Sequence, residues 1–151
     1  MKLDRSCQPD VRSMQAFNLQ VPERVVLPNG TRLAVCDGGN MDVFRMDMLV
    51  RGGQWRQTMP LQASFTNRML SEGTTTYSSE QLFDLLDRYG AWMNQSTSVN
   101  FSVITLYSLN KYAQHTLDVL EKILREPTFP QKEFQVLVDN ARQQYQENAN
   151  K

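Results

Sequence analysis

Apolar and polar residues along this chain follow the two-residue period of strands and the three- and four-residue spacing of helices. Two short β-rich runs flank Pro28-Asn29-Gly30, near the start of the ordered pattern. An Asn-Gly pair in this setting predicts a hairpin, because both residues tolerate positive φ. The run 42–53 then alternates strictly, which predicts a third strand with one covered face. Its predicted inward residues are Phe44, Met46, Met48 and Val50.

The first helix is predicted after Pro60, a residue suited to the first helical turn. Leu61, Phe65 and Met69 recur at i, i+4 and i+8, and this spacing predicts one buried stripe. Gly73 is expected to end the helix, because glycine adopts the left-handed conformation found after helix C-termini.

The second helix is predicted to begin with a capping box, since Gln81 follows Ser78 by three residues. Residues 91–98 and 99–109 are predicted as two strands, and two more helices follow them. The predicted inward residues of the last three helices are Leu82, Leu85, Leu86 and Tyr89, then Leu117, Leu120 and Leu124, then Phe134, Leu137, Val138, Ala141 and Tyr145.

The predicted order of elements is therefore β-β-β-α-α-β-β-α-α. This order indicates an α+β fold, a two-layer sandwich in which a mostly antiparallel sheet carries paired helices on one face. Residues 1–20 are predicted as an N-terminal arm and residues 21–151 as one domain. The last helix runs into the polar sequence QENANK without a cap or a returning strand. We therefore expect a domain truncated at its C-terminal end, with a frayed terminus as the alternative.

Composition excludes several classes of protein. Sixteen acidic residues balance sixteen basic ones among 151 residues, whereas a general nucleic-acid binder carries a basic surplus. No apolar run approaches the roughly 20 residues that a membrane span needs. The opening residues, MKLDRSCQPDVRSM, lack the apolar core of a signal peptide. We expect a cytoplasmic location, or a periplasmic one if a signal peptide has been removed.

Few side chains of this sequence are suited to nucleophilic or metal chemistry. Cys7 and Cys36 are too few for a disulfide framework and are interpreted as reduced thiols. His115, the single histidine, is interpreted as an ordinary helix residue. Gly52 and Gly53 are interpreted as a turn rather than an anion site. No spacing of serine, histidine and aspartate indicates a catalytic triad.

Four segments, taken in order, resemble the pitrilysin/insulinase family of zinc peptidases, which includes the subunits of mitochondrial processing peptidase. They are LPNGTRLAVCDGG, DVFRMDMLVRGGQWRQ, MLSEGTTTYSSEQLFDLLDRYGAWMNQSTS and TLDVLEKILREPTFPQKEFQ. Active members carry H-x-x-E-H on the first helix. Two histidines one turn apart bind Zn²⁺, and the glutamate activates the water that attacks the peptide. A further glutamate from a later helix completes the site.

Aligning RMLSEGT with the end of this motif puts Ser64, Asn67 and Arg68 at the positions of the first histidine, the glutamate and the second histidine. Gln144 falls at the distal glutamate. Zinc, the cofactor that the resemblance implies, is thus predicted to be absent, because none of these side chains is a good zinc ligand and Arg68 is permanently charged. The chain is interpreted as a non-catalytic homologue. Two alternatives describe these side chains: Ser64, Asn67 and Arg68 are only the solvated side of an amphipathic helix, or they form a substitute polar cluster in which Arg68 pairs with an acid or a peptide carboxylate.

The resemblance also implies partners for this chain. Active family members close two homologous halves around a peptide, so we expect pairing with an active zinc-peptidase half or subunit. The family binds extended peptides along an edge strand, and strand addition needs only free backbone groups. That strand corresponds to Met93, Asn94, Gln95, Ser96, Thr97 and Ser98. The alternatives are an ordinary polar sheet edge and a structural scaffold or assembly subunit that binds no peptide.

Overall fold

The computed structural model describes residues 19–149. Cys7 and nearly all of the predicted arm, residues 1–20, therefore lie outside the described residues. The chain divides into two compact units, Met1–Asn40 and Met41–Lys151.

The first unit contains the predicted hairpin. Strand β1 (Glu23–Val26) pairs antiparallel with β2 (Arg32–Val35). The turn between them is closed by the Leu27 N–H, which donates to Thr31 O at 2.9 Å. The hairpin prediction is confirmed, but of the Asn-Gly pair only Gly30, with φ +82°, adopts the positive φ that was its expected reason. Cys36 follows β2 as an exposed free thiol.

The second unit contains a three-stranded antiparallel sheet with the order β3-β5-β4. Its strands are β3 (Val43–Val50), β4 (Trp92–Thr97) and β5 (Ser102–Leu109). β5 lies at the centre, so β4 is an edge strand within the part of the chain that the structure describes. Ile104 and Leu106 of β5 are buried on the helix-covered face, and Phe44, Met46 and Met48 of β3 pack beside them.

Four helices complete this unit: α1 (Gln62–Met69), α2 (Ser79–Arg88), α3 (Ala113–Arg125) and α4 (Gln131–Ala149). α1 packs against β4 and β5, and α4 packs against α1. Phe65 of α1 meets Phe134 of α4 edge to face, with 5.9 Å between ring centroids. The main core forms between the sheet and the helices α2 and α3. The predicted α+β class and element order are confirmed.

α2 follows its sequence pattern closely. The Gln81 N–H donates to Ser78 Oγ, and the Ser78 N–H donates to Gln81 Oε1, so both bonds of the capping box are present. Leu82 and Leu86 are buried. The predicted inward face of α2 is therefore confirmed at the centre of the core.

The bounds and inward positions of other helices differ from prediction. Leu61 precedes α1 in a left-handed conformation, φ 67°, and is 56% exposed. Because it lies outside the helix, the predicted stripe is reduced to Phe65 and Met69. α1 also ends at Met69, four residues before Gly73. The exposed Tyr145 does not extend the inward stripe of α4, and Val50 is 45% exposed at the end of β3.

In α3 the buried stripe is rotated relative to the prediction. Of the three predicted leucines, Leu120 is fully buried, whereas Leu117 and Leu124 are only partly buried. Val119 and Ile123 take the central positions. Thr116 is completely buried beside them, because its hydroxyl bonds Ser108 Oγ and backbone carbonyls.

No helix among residues 19–149 combines the length and the apolar character needed to cross a membrane.

Candidate functional site

Asn67 is the most buried of the predicted motif residues and joins α1 to the sheet. Its side chain is 4% exposed. The Nδ2 group donates to Ser96 O at 2.8 Å and lies 3.3 Å from both Val103 O and Thr97 Oγ1. The amide NH2 therefore reaches β4 and β5 at once, where their backbones are directly paired. Asn67 is thus part of the contact between helix and sheet, not of a solvated helix face.

Gln95 returns this interaction from β4 to α1. Its Nε2 group donates to Asn67 O at 2.8 Å, and its Oε1 accepts from Ser71 Oγ at 3.1 Å. Two neutral side-chain amides thus cross between helix and strand in opposite directions. We call Asn67, Gln95 and Ser71 the amide clamp. Its bonds carry no net charge, and they join β4 to α1 and to Ser71, in the turn that follows α1.

Ser64 and Arg68 lie one helical turn apart, on the ridge of α1 next to the clamp. They precede Asn67 and Ser71 by three residues each, so they occupy a neighbouring strip of the helix surface. Ser64 is half-buried and Arg68 is exposed. Neither forms an ion pair with another residue in the 19–149 range. Ser64 and Arg68 are therefore one turn apart on α1, as the predicted register requires, and they carry a hydroxyl and a guanidinium.

Gln144 lies far along α4 and is exposed. It follows Phe134, the residue that meets α1, by ten residues, which corresponds to about 15 Å of helix. No hydrogen bond joins Gln144 to Ser64, Asn67 or Arg68 among the described residues. Hydrogen bonds therefore join Asn67 to β4, whereas none joins Gln144 to the other three positions among residues 19–149.

These side chains do not fit the divalent zinc ion that the resemblance implies. Zinc in proteins is held by thiolate, imidazole and carboxylate groups. Here the only nitrogen of the Asn67 side chain is a donor already committed to backbone oxygens, and Arg68 offers only N–H donors. Within residues 19–149 no group of three or more His, Cys, Asp or Glu side chains could hold a metal. We derive no metal-dependent step from this site.

The predicted peptide-binding residues form the free edge of the sheet. Ser98 donates its N–H to Phe101 O at 2.8 Å, so these two residues form a hydrogen-bonded pair at the hairpin tip. Antiparallel pairs alternate, and the backbone groups of Ser96 and Asn94 therefore point to β5. Those of Met93, Gln95 and Thr97 point away from it. No strand covers that side in the described part of the chain.

The hairpin tip between β4 and β5 is held by the segment that precedes α1. Backbone N–H groups of Gln54 and Trp55 donate to Ser98 O and Val99 O at 3.0 and 2.8 Å. Gly53 lies so close to this tip that a Cβ atom there would come within 2.5 Å of the Val99 carbonyl oxygen. Gly53 is therefore a close-approach glycine within a turn, which agrees with the interpretation made from sequence.

Two carboxyl groups outside the amide clamp, those of Asp47 and Glu126, have lowered pKa values. On the outer sheet face, a hydrogen bond from the Thr105 hydroxyl lowers the pKa of Asp47, and Arg45 lowers it further, while burial opposes both. In the loop after α3, a hydrogen bond from Thr75 lowers the pKa of Glu126. The amide clamp, by contrast, consists of two amides and a hydroxyl, which do not titrate near neutral pH.

Sequence reasoning missed the contribution of Ser71 and the direction of two side chains. Gln95 was predicted as part of a peptide-binding strand, yet its side chain turns to the helix. Thr97 was assigned to the same strand, and its hydroxyl contacts Asn67 and Ser102. The sequence did contain a signal for this shared direction: residues 95 and 97 are two positions apart in a strand, so their side chains lie on the same face of the sheet.

The family model described as Insulinase (Peptidase family M16) matches residues 62–151. An uncharacterized zinc protease of Bacillus subtilis strain 168, YmxG, is 24% identical over 114 residues, which cover 74% of this chain and 28% of the relative. The peptidase M16 inactive domain from Pseudomonas fluorescens shares the fold with a TM-score of 0.76 at 19% identity, over 83% of this chain and 32% of that one. A protease from Helicobacter pylori gives 0.71 at 20% identity over the same shares. The chain thus spans less than a third of the length of these relatives.

Proposed function

This chain belongs to the insulinase family, peptidase family M16, and from that premise we propose that it is a non-catalytic part of a peptidase assembly. In this proposal it pairs with a homologous active half and helps to enclose and position an extended peptide. The cleaving groups belong to the partner. The likeness to the Pseudomonas fluorescens inactive domain is consistent with such a division, although at 19% identity it concerns the fold alone.

One observation carries the non-catalytic part of the proposal. The residue at the position of the motif glutamate, Asn67, is a buried amide that donates to Ser96 O. A neutral amide does not take up a proton near pH 7, so it cannot act as a general base. The amide also faces the sheet, where it stabilises the edge strand instead of activating water.

The positioning part of the proposal rests on the free edge of β4. The outward backbone groups of Met93, Gln95 and Thr97 are available for strand addition, which recognises a peptide mainly through its main chain. The amide clamp holds the helix-facing side of the same strand. A strand whose position is fixed in this way loses little additional freedom when a peptide pairs with it.

Metal content and co-purification test the assembly. The chain, purified from its native source without chelators, is expected to contain far less than one equivalent of zinc and to bring an active M16 peptidase with it. One equivalent of zinc per isolated chain would contradict the non-catalytic assignment. Isolation as a single species, without any peptidase, would contradict the pairing.

Hydrogen exchange tests peptide positioning. A panel of extended peptides is expected to slow exchange at the amides of Met93, Gln95 and Thr97, because these N–H groups would enter a new ladder. The amides of Asn94 and Ser96 already bond β5 and serve as internal controls. Equal exchange at all five amides with and without peptides would contradict strand addition at this edge.

A scaffold role is a second candidate, favoured by the outer face of the sheet. Val43, Leu49 and Trp92 are 50%, 61% and 57% exposed on the face opposite the helices. Exposed apolar groups of this kind suit a protein interface. If a partner protein, but no peptide, slows exchange in this unit, the scaffold function is favoured over the enclosing one.

A further inference from the structure

A cavity of about 310 Å³ lies on a different flank of α1 from Ser64 and Arg68. It is formed between α1, the connection from β3 to α1, and the start of β5. Its lining combines aliphatic side chains with polar ones, among which Arg56 and Asn67 differ in character. We call it the Arg56 cavity, and the lining residues that matter are Val50, Ala63, Leu70, Ile104, Arg56 and Asn67.

The buried amide of Asn67 leaves an acceptor without a partner in the wall of this cavity. Its Nδ2 faces Ser96 O and Val103 O. Since both are acceptors, the orientation of the amide is fixed. The Oδ1 atom receives no hydrogen bond from any residue between 19 and 149. Since no fully buried side-chain oxygen or nitrogen of the described residues lacks a partner, this oxygen is open to solvent through the cavity. A ligand N–H can therefore take the place of water as its donor.

Arg56 supplies a cation at the rim of the same cavity. It is exposed and takes part in no ion pair of the described residues. The neighbouring glutamines are engaged elsewhere, since Gln57 Oε1 accepts from the Ala63 N–H and Gln62 Oε1 accepts from Thr58. The cavity therefore presents one available guanidinium, one solvent-accessible amide oxygen and an aliphatic wall, beside the hydroxyl-bearing Thr58, Thr66 and Ser102.

We propose that the Arg56 cavity binds the C-terminal aliphatic residue of a peptide. The terminal carboxylate pairs with Arg56, whose planar fork matches carboxylate geometry. The N–H of the last residue donates to Asn67 Oδ1, and its side chain contacts Val50, Leu70 and Ile104. The volume is at the small end of ligand sites, which suits one residue. This site is separate from the β4 edge and goes beyond the proposed function.

Fluorescence anisotropy with N-terminally labelled pentapeptides tests the site in the 151-residue chain. One peptide ends in leucine with a free carboxylate, a second is identical but C-terminally amidated, and a third ends in aspartate. The free leucine acid is expected to bind at least about tenfold more tightly than either of the others, because a hydrogen bond to a charged group and the apolar contact are each worth that factor. Equal affinity for the acid and the amide would overturn the proposal, as would no binding at millimolar peptide.

Two variants and a matched control locate the binding. Arg56→Gln is expected to weaken the leucine acid about tenfold and to leave the amidated peptide unchanged. Arg51→Gln removes another exposed arginine, which does not line the cavity, and is expected to change neither affinity. Ala63→Leu fills the cavity with a good helix former and is expected to abolish binding while α1 stays folded, as judged by hydrogen exchange. An unchanged affinity in Arg56→Gln would refute the cavity as the site.

Exchange data separate this site from binding at the sheet edge. A peptide in the cavity is expected to leave the Met93 and Gln95 amides unaffected. The opposite result is that the leucine acid protects those amides and binds with the same affinity as its amidated form. In that case the β4 edge is the binding site and the cavity proposal fails. A negative result for the Arg56 cavity therefore does not count against strand addition at β4. A negative result for strand addition likewise does not count against the cavity.

Discussion

Asn67→Asp is the most informative single change, because it replaces a buried donor by an acceptor of nearly the same shape. In the native chain the NH2 group lies 2.8 Å from Ser96 O and 3.3 Å from Val103 O. The introduced carboxylate would face both oxygens with no cation of the described residues bonded to this position. The change therefore tests whether the clamp depends on donation from the helix to the sheet.

The free energy of unfolding that Asn67→Asp is expected to lose has two parts, one independent of pH and one that depends on ionisation of the new carboxyl group. Loss of a donor to buried carbonyls costs about 1–3 kcal/mol. At a position only 4% exposed, burial raises the pKa of the introduced carboxyl, on the order of two units above the unfolded value of about 3.9. Since each unit corresponds to about 1.4 kcal/mol, ionisation adds on the order of 3 kcal/mol.

The sign of the pH dependence follows from the raised pKa. The folded variant holds its proton more tightly than the unfolded chain, so the ionisation penalty is absent below about pH 4 and grows as pH rises toward about 6. Above that value it is constant. The difference between variant and parent is therefore expected to be about 1–3 kcal/mol near pH 4 and about 4–6 kcal/mol at pH 8.

Urea unfolding at pH 4 and pH 8, followed by far-ultraviolet circular dichroism, measures this difference. Asn140→Asp is the matched control, because Asn140 is exposed on α4 and the same substitution there is expected to cost less than about 0.5 kcal/mol. A penalty for Asn67→Asp that is equal at both pH values would refute the ionisation argument. A penalty no larger than that of the control would refute the clamp itself.

The remaining predictions concern backbone, charge and metal. Gly53→Ala is expected to cost about 1–3 kcal/mol in thermal unfolding, because its Cβ would lie 2.5 Å from hairpin-tip backbone atoms. Gly30→Ala meets no atom within 4 Å and is expected to cost only the strain of positive φ, about 1–2 kcal/mol. The pKa of Asp47 is lowered, so its contribution to stability is lost as pH falls through the folded value below about 4; Asp47→Asn is expected to flatten the acid limb of the urea midpoint. Asn67→Glu combined with Arg68→His is expected to give neither stoichiometric zinc by elemental analysis nor peptide cleavage, because the two other ligand positions still carry a hydroxyl and an amide.

The parts of the fold that were predictable are those in which local chemistry and packing agree. The Ser78–Gln81 capping box is set by two side chains within one turn, and both of its bonds form. Strict alternation placed Phe44, Met46 and Met48 on the covered face of β3. In such segments no distant contact needs to override the pattern.

The errors arise where tertiary contacts decide between similar patterns. Leu61 continues a helical spacing, yet the chain enters α1 through a left-handed residue at that position. In α3, leucines as well as Val119 and Ile123 are apolar residues that could face the sheet. Val119 and Ile123 are the ones that are buried against it. Thr116 is buried because a serine of β5 lies within hydrogen-bonding distance, which a linear sequence does not reveal.

The side-chain directions at the predicted site residues could not be derived from the sequence. Alignment by resemblance selected Asn67, whereas its side-chain direction depends on how α1 rests on β4 and β5. The same holds for Gln95, which lies in the predicted peptide-binding strand and turns its side chain back to the helix. Such reciprocal contacts join residues 28 positions apart, a separation at which periodicity carries no information.

The chemistry of the clamp has a consequence for how peptide positioning would depend on solution conditions. A helix and a strand joined through a metal separate when the metal is chelated or when its imidazole ligands are protonated near pH 6. Asn67 and Gln95 are neutral at both conditions, and their partners are backbone oxygens and a hydroxyl. The outward groups of β4 are therefore expected to keep their position in excess EDTA and between about pH 5 and 8. Exchange at the Asn94 and Ser96 amides, which bond β5, measures this after correction for the intrinsic effect of pH. A loss of their protection on chelation would show that a metal, not the amides, joins α1 to β4.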